Sequence, residues 1–158
     1  MAKAGYLVID PDGTTYVIPA RRMGFERLRH LVGGPIDIVG LEPGLDMVIN
    51  DEGKFTGAWN PVATHIFETF FGSGSDVVFG PVVLSGVDED RNVPLVPGTL
   101  ERMRLLATQA DQSVSSLPED PEQLRDLLRE LGAKHPQEAR QVAEKLRLTE
   151  EHELTLGE

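Results

Sequence analysis

The sequence predicts an α+β fold: a small, mostly antiparallel sheet with two or three packed helices, followed by a C-terminal αα-hairpin. Three observations predict it. Short β-branched and aromatic runs come in pairs joined by tight turns, as antiparallel strands do. Segments with apolar residues at helical spacing lie between those pairs. Beyond a polar, turn-rich stretch the composition changes to leucine-bearing helix without further strand signals. The expected organisation is a core domain over 1–110, a linker over 111–120, a helical hairpin over 121–148 and a flexible acidic tail over 149–158.

The first element is a hairpin. Tyr6 to Ile9 and Thr15 to Ile18 flank Asp10-Pro11-Asp12-Gly13, whose residues favour a turn. In "MGFERLRHLV", Phe25, Leu28, Leu31 and Val32 fall on one helical face, and Glu26, Arg27, Arg29 and His30 on the other. This helix should stop at Val32, because Gly33 takes the left-handed conformation at low cost. Pro35 then holds Gly34 extended and opens a strand. Ile36 to Leu41 and Leu45 to Asn50 read as strands joined at Glu42-Pro43-Gly44. "NDEGKFTG" reads as a turn with Gly53 at a positive-φ position.

Asn60-Pro61 is a helix start, with Asn60 as N-cap and Pro61 in the first turn. Val62, Ala63, Ile66, Phe67 and Phe70 share its apolar face, and Thr64, His65, Glu68 and Thr69 the polar one. The "GSGS" at 72–75 ends it. "DVVFGPVVLSGV" reads as one bent strand or two short ones broken at Gly80-Pro81. "DEDRN" reads as a charged loop, and "VPGTLERMRLLATQ" as a further helix. Asp120-Pro121 starts a helix carrying Leu124, Leu127, Leu128 and Leu131, which Gly132 ends. Pro136 starts another, with Ala139, Val142, Ala143 and Leu146.

Composition narrows the chemistry. The chain has 158 residues, a net charge of −11 and no cysteine. Disulfide scaffolds, thiolate zinc sites and cysteine nucleophiles are excluded. The acidity disfavours direct binding to nucleic acid, whose phosphates need a basic patch. No apolar run approaches the ~18 residues of a membrane span, and no signal peptide is visible at the start, so the expected setting is cytoplasmic.

Gly33-Gly34-Pro35 is not a phosphate loop. Such a loop follows a strand and precedes a helix, so that helix N–H groups meet the anion. Here the glycines follow a helix, at its negative end. None of the serines lies in a nucleophile-elbow sequence. His65 and Glu68 are spaced i, i+3 on one polar face, too few ligands for a metal. Asp88, Asp90 and Asn92 begin like a calcium loop, but Val93 stands where its glycine belongs and Thr99 where its glutamate belongs. "QLRDLLREL" has a glutamine ahead of leucines, like a clamp-docking peptide, but a buried hairpin face accounts for those leucines. Asp37, inside an apolar strand, is expected at a sheet edge facing water. No catalytic residue, metal or cofactor is expected.

The candidate binding residues are Arg21, Arg22, Asn50, Glu52, Trp59, Asn60 and Thr64. Arg21 and Arg22 could hold an anion on an otherwise acidic chain. "NDEGKFTGAWNP" gathers polar groups and the sole tryptophan around two glycines. A tryptophan there is either an interface anchor or a cover on the core, and core is the expectation.

The order Leu31 to Gly34, Asn50 to Lys54, Asn60 to Thr64 and the strand ending Gly86-Val87-Asp88 resembles the family called domain of unknown function 3846. The likeness covers roughly residues 5–110 and leaves the C-terminal hairpin without a counterpart. It implies a phage or mobile-element setting, and no chemistry. The expected function is a non-enzymatic accessory protein that engages a host or defence protein. The alternatives are a small-ligand binder, such as a nucleotide-signal sponge, and an acidic DNA mimic that occupies a DNA-processing enzyme. A homodimer is open, because the hairpin's leucine face must bury against the core or a second copy.

Overall fold

The computed structural model describes residues 3–19, 22–72 and 74–156. In chain order the elements are β1 (Tyr6–Ile9), β2 (Thr15–Ile18), α1 (Phe25–Val32), β3 (Ile36–Glu42), β4 (Leu45–Asn50), α2 (Gly53–Thr56), α3 (Pro61–Phe71), β5 (Val82–Asp88), β6 (Arg91–Val93), α4 (Pro97–Ser115), α5 (Pro121–Leu131) and α6 (Pro136–Leu156). The fold is α+β with an antiparallel sheet, as the sequence predicts. Its strand order is β2-β1-β5-β4-β3, with β6 pairing β5. Register runs through Leu7 opposite Leu84 and Leu84 opposite Met47.

Both faces of the sheet are covered. Leu7, Ile9, Met47, Val82 and Leu84 point to one side, where they pack with α3 and α4 through Val62, Ile66, Leu100 and Met103. Tyr6, Val8, Val48 and Val83 point to the other, against Leu28 and Val32 of α1. Two-sided burial explains why β1 and the start of β5 read as unbroken apolar runs rather than alternating ones.

Local chemistry sets the ends. Gly33 has φ 88° and, with Gly34, donates its N–H to the Arg29 carbonyl, closing α1. The first hairpin turns on Gly13 at φ 90°, with Asp12 accepting from the Thr14 N–H at 2.9 Å. "DEDRN" is not an open loop. Glu89 and Asp90, both at positive φ, make the two-residue turn between β5 and β6. The "VVFGP" segment is not a strand before Gly80; Phe79 makes only an isolated bridge with Trp59.

Three further expectations need correction. Gly53 does not have positive φ; it starts α2. A glycine is needed there because a Cβ would sit 2.8 Å from the Phe79 carbonyl oxygen. Residues 111–115 are not a loop but the last turn of α4. Burial of Ala107 and Ala110, and the seating of the Gly13 turn on Asp111, outweigh the weak helix propensity of "DQSVS". Residues 149–156 continue α6.

The C-terminal helices pack on each other, and α6 packs on α3. Leu124 and Val142 are fully buried there, outside the two sheet cores. Lys145 pairs with Glu119 at 2.9 Å and Arg125 with Glu150.

Candidate functional site

Three of the segments that carry the family-like motifs, Leu31 to Gly34, Asn50 to Lys54 and Asn60 to Thr64, meet at one end of the sheet, whereas Gly86-Val87-Asp88 lies at the other because β5 runs antiparallel to β4. β4 finishes at Asn50, whose Oδ1 accepts from the Glu52 N–H at 2.8 Å and whose Nδ2 donates to the Val32 carbonyl at 3.3 Å. Gly34 lies against the same side chain; a Cβ there would be 3.0 Å from the Asn50 amide. Asn60 caps α3 through Oδ1, accepting from the Ala63 N–H at 3.0 Å. Its Nδ2 donates to the Ile9 carbonyl at 3.0 Å and to the Gly80 carbonyl at 2.9 Å. Thr64 Oγ1 donates to the Asn60 carbonyl at 2.8 Å and accepts from the Val78 N–H at 2.9 Å.

These contacts separate the candidate residues. Asn60 and Thr64 are buried, and their polar atoms are engaged in joining α3 to the segment before β5. Trp59 is buried too, with Nε1 unpartnered. Asn50 is half-buried and Glu52 exposed beside it. Arg22 does not join them. It lines a groove with Asp88, Arg91 and Asn92, at the end of the sheet where β2 stops. Arg21 lies outside the described residues.

Two open depressions flank the edge strand β3. On the α3 side is a cleft of about 260 Å³ with apolar walls that include Val39, Ile49, Phe67 and Phe79. Its charged lining is Asp37, Asp51, Asp76 and Lys54. Lys54 Nζ lies 2.9 Å from Asp76 Oδ1. Burial works to raise the Asp76 carboxyl. Hydrogen bonds from Lys54 and the Val77 N–H, with the charges of Lys54 and Arg140, outweigh it and hold the group below its ordinary value. On the α1 side is a wider groove of about 470 Å³, bordered by Phe25, Leu28, Ile36, Ile38, Asp90 and Asn92. Phe25 is 59% exposed and Ile38 43%. Asp37 borders both depressions. As expected, it is exposed on an edge strand.

A second polar cluster, between α3 and α6, escaped the sequence reading. Gln141 Nε2 lies 3.2 Å from His65 Nδ1. Burial lowers the His65 pKa, against the nearby charge of Glu138. Burial raises that of Glu68, against a hydrogen bond from the Gly74 N–H and the charge of Arg140. The signal was the polar face Thr64, His65, Glu68, Thr69; its partners on α6 are some seventy residues on, as the separation of 76 between His65 and Gln141 shows.

The helix surfaces do not present unbroken rows of carboxylate. Glu26, Glu101, Asp126 and Glu144 each pair with an arginine three residues on. Among the described residues no group of three His, Asp or Glu side chains could hold a metal ion. No helix among them is long and apolar enough to cross a membrane. The family model described as Domain of unknown function (DUF3846) matches residues 3–108. No curated protein and no solved structure matches the chain.

Proposed function

The chain belongs to the DUF3846 family, and from that premise we propose that it is a non-enzymatic accessory protein whose work is to bind another protein. The observation that carries this reading is β3, an edge strand with an open depression on each side and exposed Phe25 and Ile38 beside it. Apolar side chains framed by charge are what a protein partner buries. The proposal includes a phage or mobile-element origin, a cytoplasmic setting, and a host or defence protein as the partner. The origin and the host or defence partner rest on the family likeness.

The nucleotide-sponge reading draws less support. The cleft beside Asn50 carries three carboxylates and one lysine, which repels phosphate. The DNA-mimic reading is weakened by the arginines interleaved among the helix carboxylates.

The test is site-specific photocrosslinking in cells of the source organism, with the reactive group at position 38 or at position 105. Capture of one protein from position 38 and none from position 105, on the far side of the sheet, supports the reading. No protein captured from position 38 overturns it.

A further inference from the structure

We propose that β3 receives an extended, lysine- or arginine-bearing segment of the partner, added as a further antiparallel or parallel strand of the sheet. This rests on the protein-binding reading above and names the chemistry of the partner.

Hydrogen-bond parity leaves one side of β3 open. The Asp51 N–H donates to the Pro35 carbonyl at 2.7 Å, and the register continues with Ile36 opposite Asn50 and Asp37 opposite Ile49. In an antiparallel pair, ladder bonds fall on alternate residues. Residues 35, 37 and 39 therefore face β4, and Ile36, Ile38 and Gly40 direct N–H and C=O outward. The Ile38 N–H fits this, since it is taken by its neighbour's Asp37 Oδ1 at 2.9 Å rather than by β4. Asp37 thus guards the edge in the free protein, a device that discourages unwanted pairing.

The edge runs between the two depressions. Side chains of an added strand would alternate between the two faces of the sheet. One set would enter the α3-side cleft and the other the α1-side groove, where Phe25, Ile36 and Ile38 stand beside Asp90 and Asn92. In the cleft they would meet Asp37, Asp51 and Asp76, with Lys54 already paired to Asp76. Phe67 and Phe79 offer surface for the aliphatic stem of a lysine or arginine. The opposite edge, β2, has only four residues.

Charge decides the occupant. A second copy of this chain, paired β3 to β3, would set two acidic rims together between partners that each carry −11. A basic segment lowers that repulsion and also releases Asp37 from Ile38 by offering it a cation.

The experiment uses the full chain, labelled with ¹⁵N, and three seven-residue peptides at millimolar concentration. One alternates lysine and valine, one alternates glutamate and valine, and one alternates lysine and proline. The expected result is that the lysine–valine peptide shifts the Ile38 and Gly40 amides and slows their hydrogen exchange. The other two peptides leave those amides unchanged. The double variant Asp37→Asn, Asp51→Asn weakens the binding by about 2- to 10-fold. Because that variant could alter the edge itself, Gly40→Pro is the second probe. It removes an outward donor without touching the ladder, and should also abolish the exchange protection. No perturbation at Ile38 and Gly40, or equal binding of the glutamate peptide, overturns the proposal. So does concentration-dependent protection without peptide, which would assign the edge to a homodimer. Partner capture at position 38 combined with a silent peptide titration would remove strand addition while leaving the protein-binding reading standing.

Discussion

The side-chain amide of Asn60 donates to the carbonyl oxygen of Gly80 across 2.9 Å, in a position sealed from solvent. With its bonds to Ile9 and Ala63, the same side chain ties β1, α3 and the entry to β5. Asn60→Ala uncaps the Ala63 N–H and takes a donor away from each of the Ile9 and Gly80 carbonyls. The expected loss is about 2–4 kcal/mol. Asn60→Asp keeps the helix cap but turns a carboxylate toward two carbonyl oxygens, so at neutral pH it should melt lower than the alanine variant. Thermal denaturation of the three proteins checks the order. An aspartate variant as stable as the parent would refute the role of the two donors.

Gly33 and Gly53 are both required, for different reasons. At Gly33 the backbone is left-handed but the nearest atom to an added Cβ is 3.9 Å away, so Gly33→Ala should cost only about 1–2 kcal/mol. At Gly53 the φ is ordinary, but the Cβ meets the Phe79 carbonyl oxygen at 2.8 Å. Gly53→Ala should cost about 1–3 kcal/mol and displace the Phe79 backbone. Urea titration gives the energies. Asn at position 33, which tolerates left-handed backbone, should recover part of the loss, and Asn at position 53 none.

Acidification should loosen the joint between α3 and α6. Gln141 donates to His65 Nδ1, which must be unprotonated to accept. Burial places the His65 pKa below its ordinary 6.5 in the folded state. The stability this confers is full above pH 6.5 and is lost as the pH falls through the lowered value. Glu68 pulls the other way. Its raised carboxyl takes up a proton more readily in the folded state, and that contribution is lost as the pH rises from 4.5 through the raised value. Hydrogen exchange along α6 between pH 7.5 and pH 5.5, values that bracket the ordinary histidine range, should show faster opening at the lower pH. His65→Gln should abolish that acceleration; an unchanged pH response in the variant would assign it elsewhere.

Leu124 anchors the C-terminal helices. It is fully buried yet belongs to neither face of the sheet. Leu124→Ala should cost about 2–4 kcal/mol. The loss should be local, with α5 and α6 exchanging amide hydrogens early while the strands keep their protection. Uniform loss of protection across the sheet would mean that hairpin and core unfold as one unit.

Much of the fold is legible because its signals are local. Asp12-Gly13, Gly33, Asn60-Pro61 and Asp120-Pro121 each act within a few residues, and the structure puts an element boundary at every one. The end of α4 is not local. Within "DQSVS" only Gln112 favours a helix; its continuation depends on Ala110 and on Asp111 beneath the Gly13 turn. The candidate site divides in the same way. Asn50 and Asn60 stand out by residue type, but Asn60 reaches carbonyls 20 and 51 residues away, so its role in the fold could not be read from spacing. The acidic cleft assembles Asp37, Asp51 and Asp76 from three separate segments, and only the sheet brings them together.

The helix that carries the chain from the sheet to the C-terminal pair runs from Pro97 to Ser115, whereas the family likeness stops at 108. The end of the family match therefore falls inside a rigid rod. A gene cut there would sever α4 ahead of Ala110, which is wholly enclosed, and would strip the Asp111 support from the first hairpin. The end of the family match and the end of the helix that closes the core do not coincide in this protein. Transplanting the family segment into another protein would have to carry at least the rest of that rod with it.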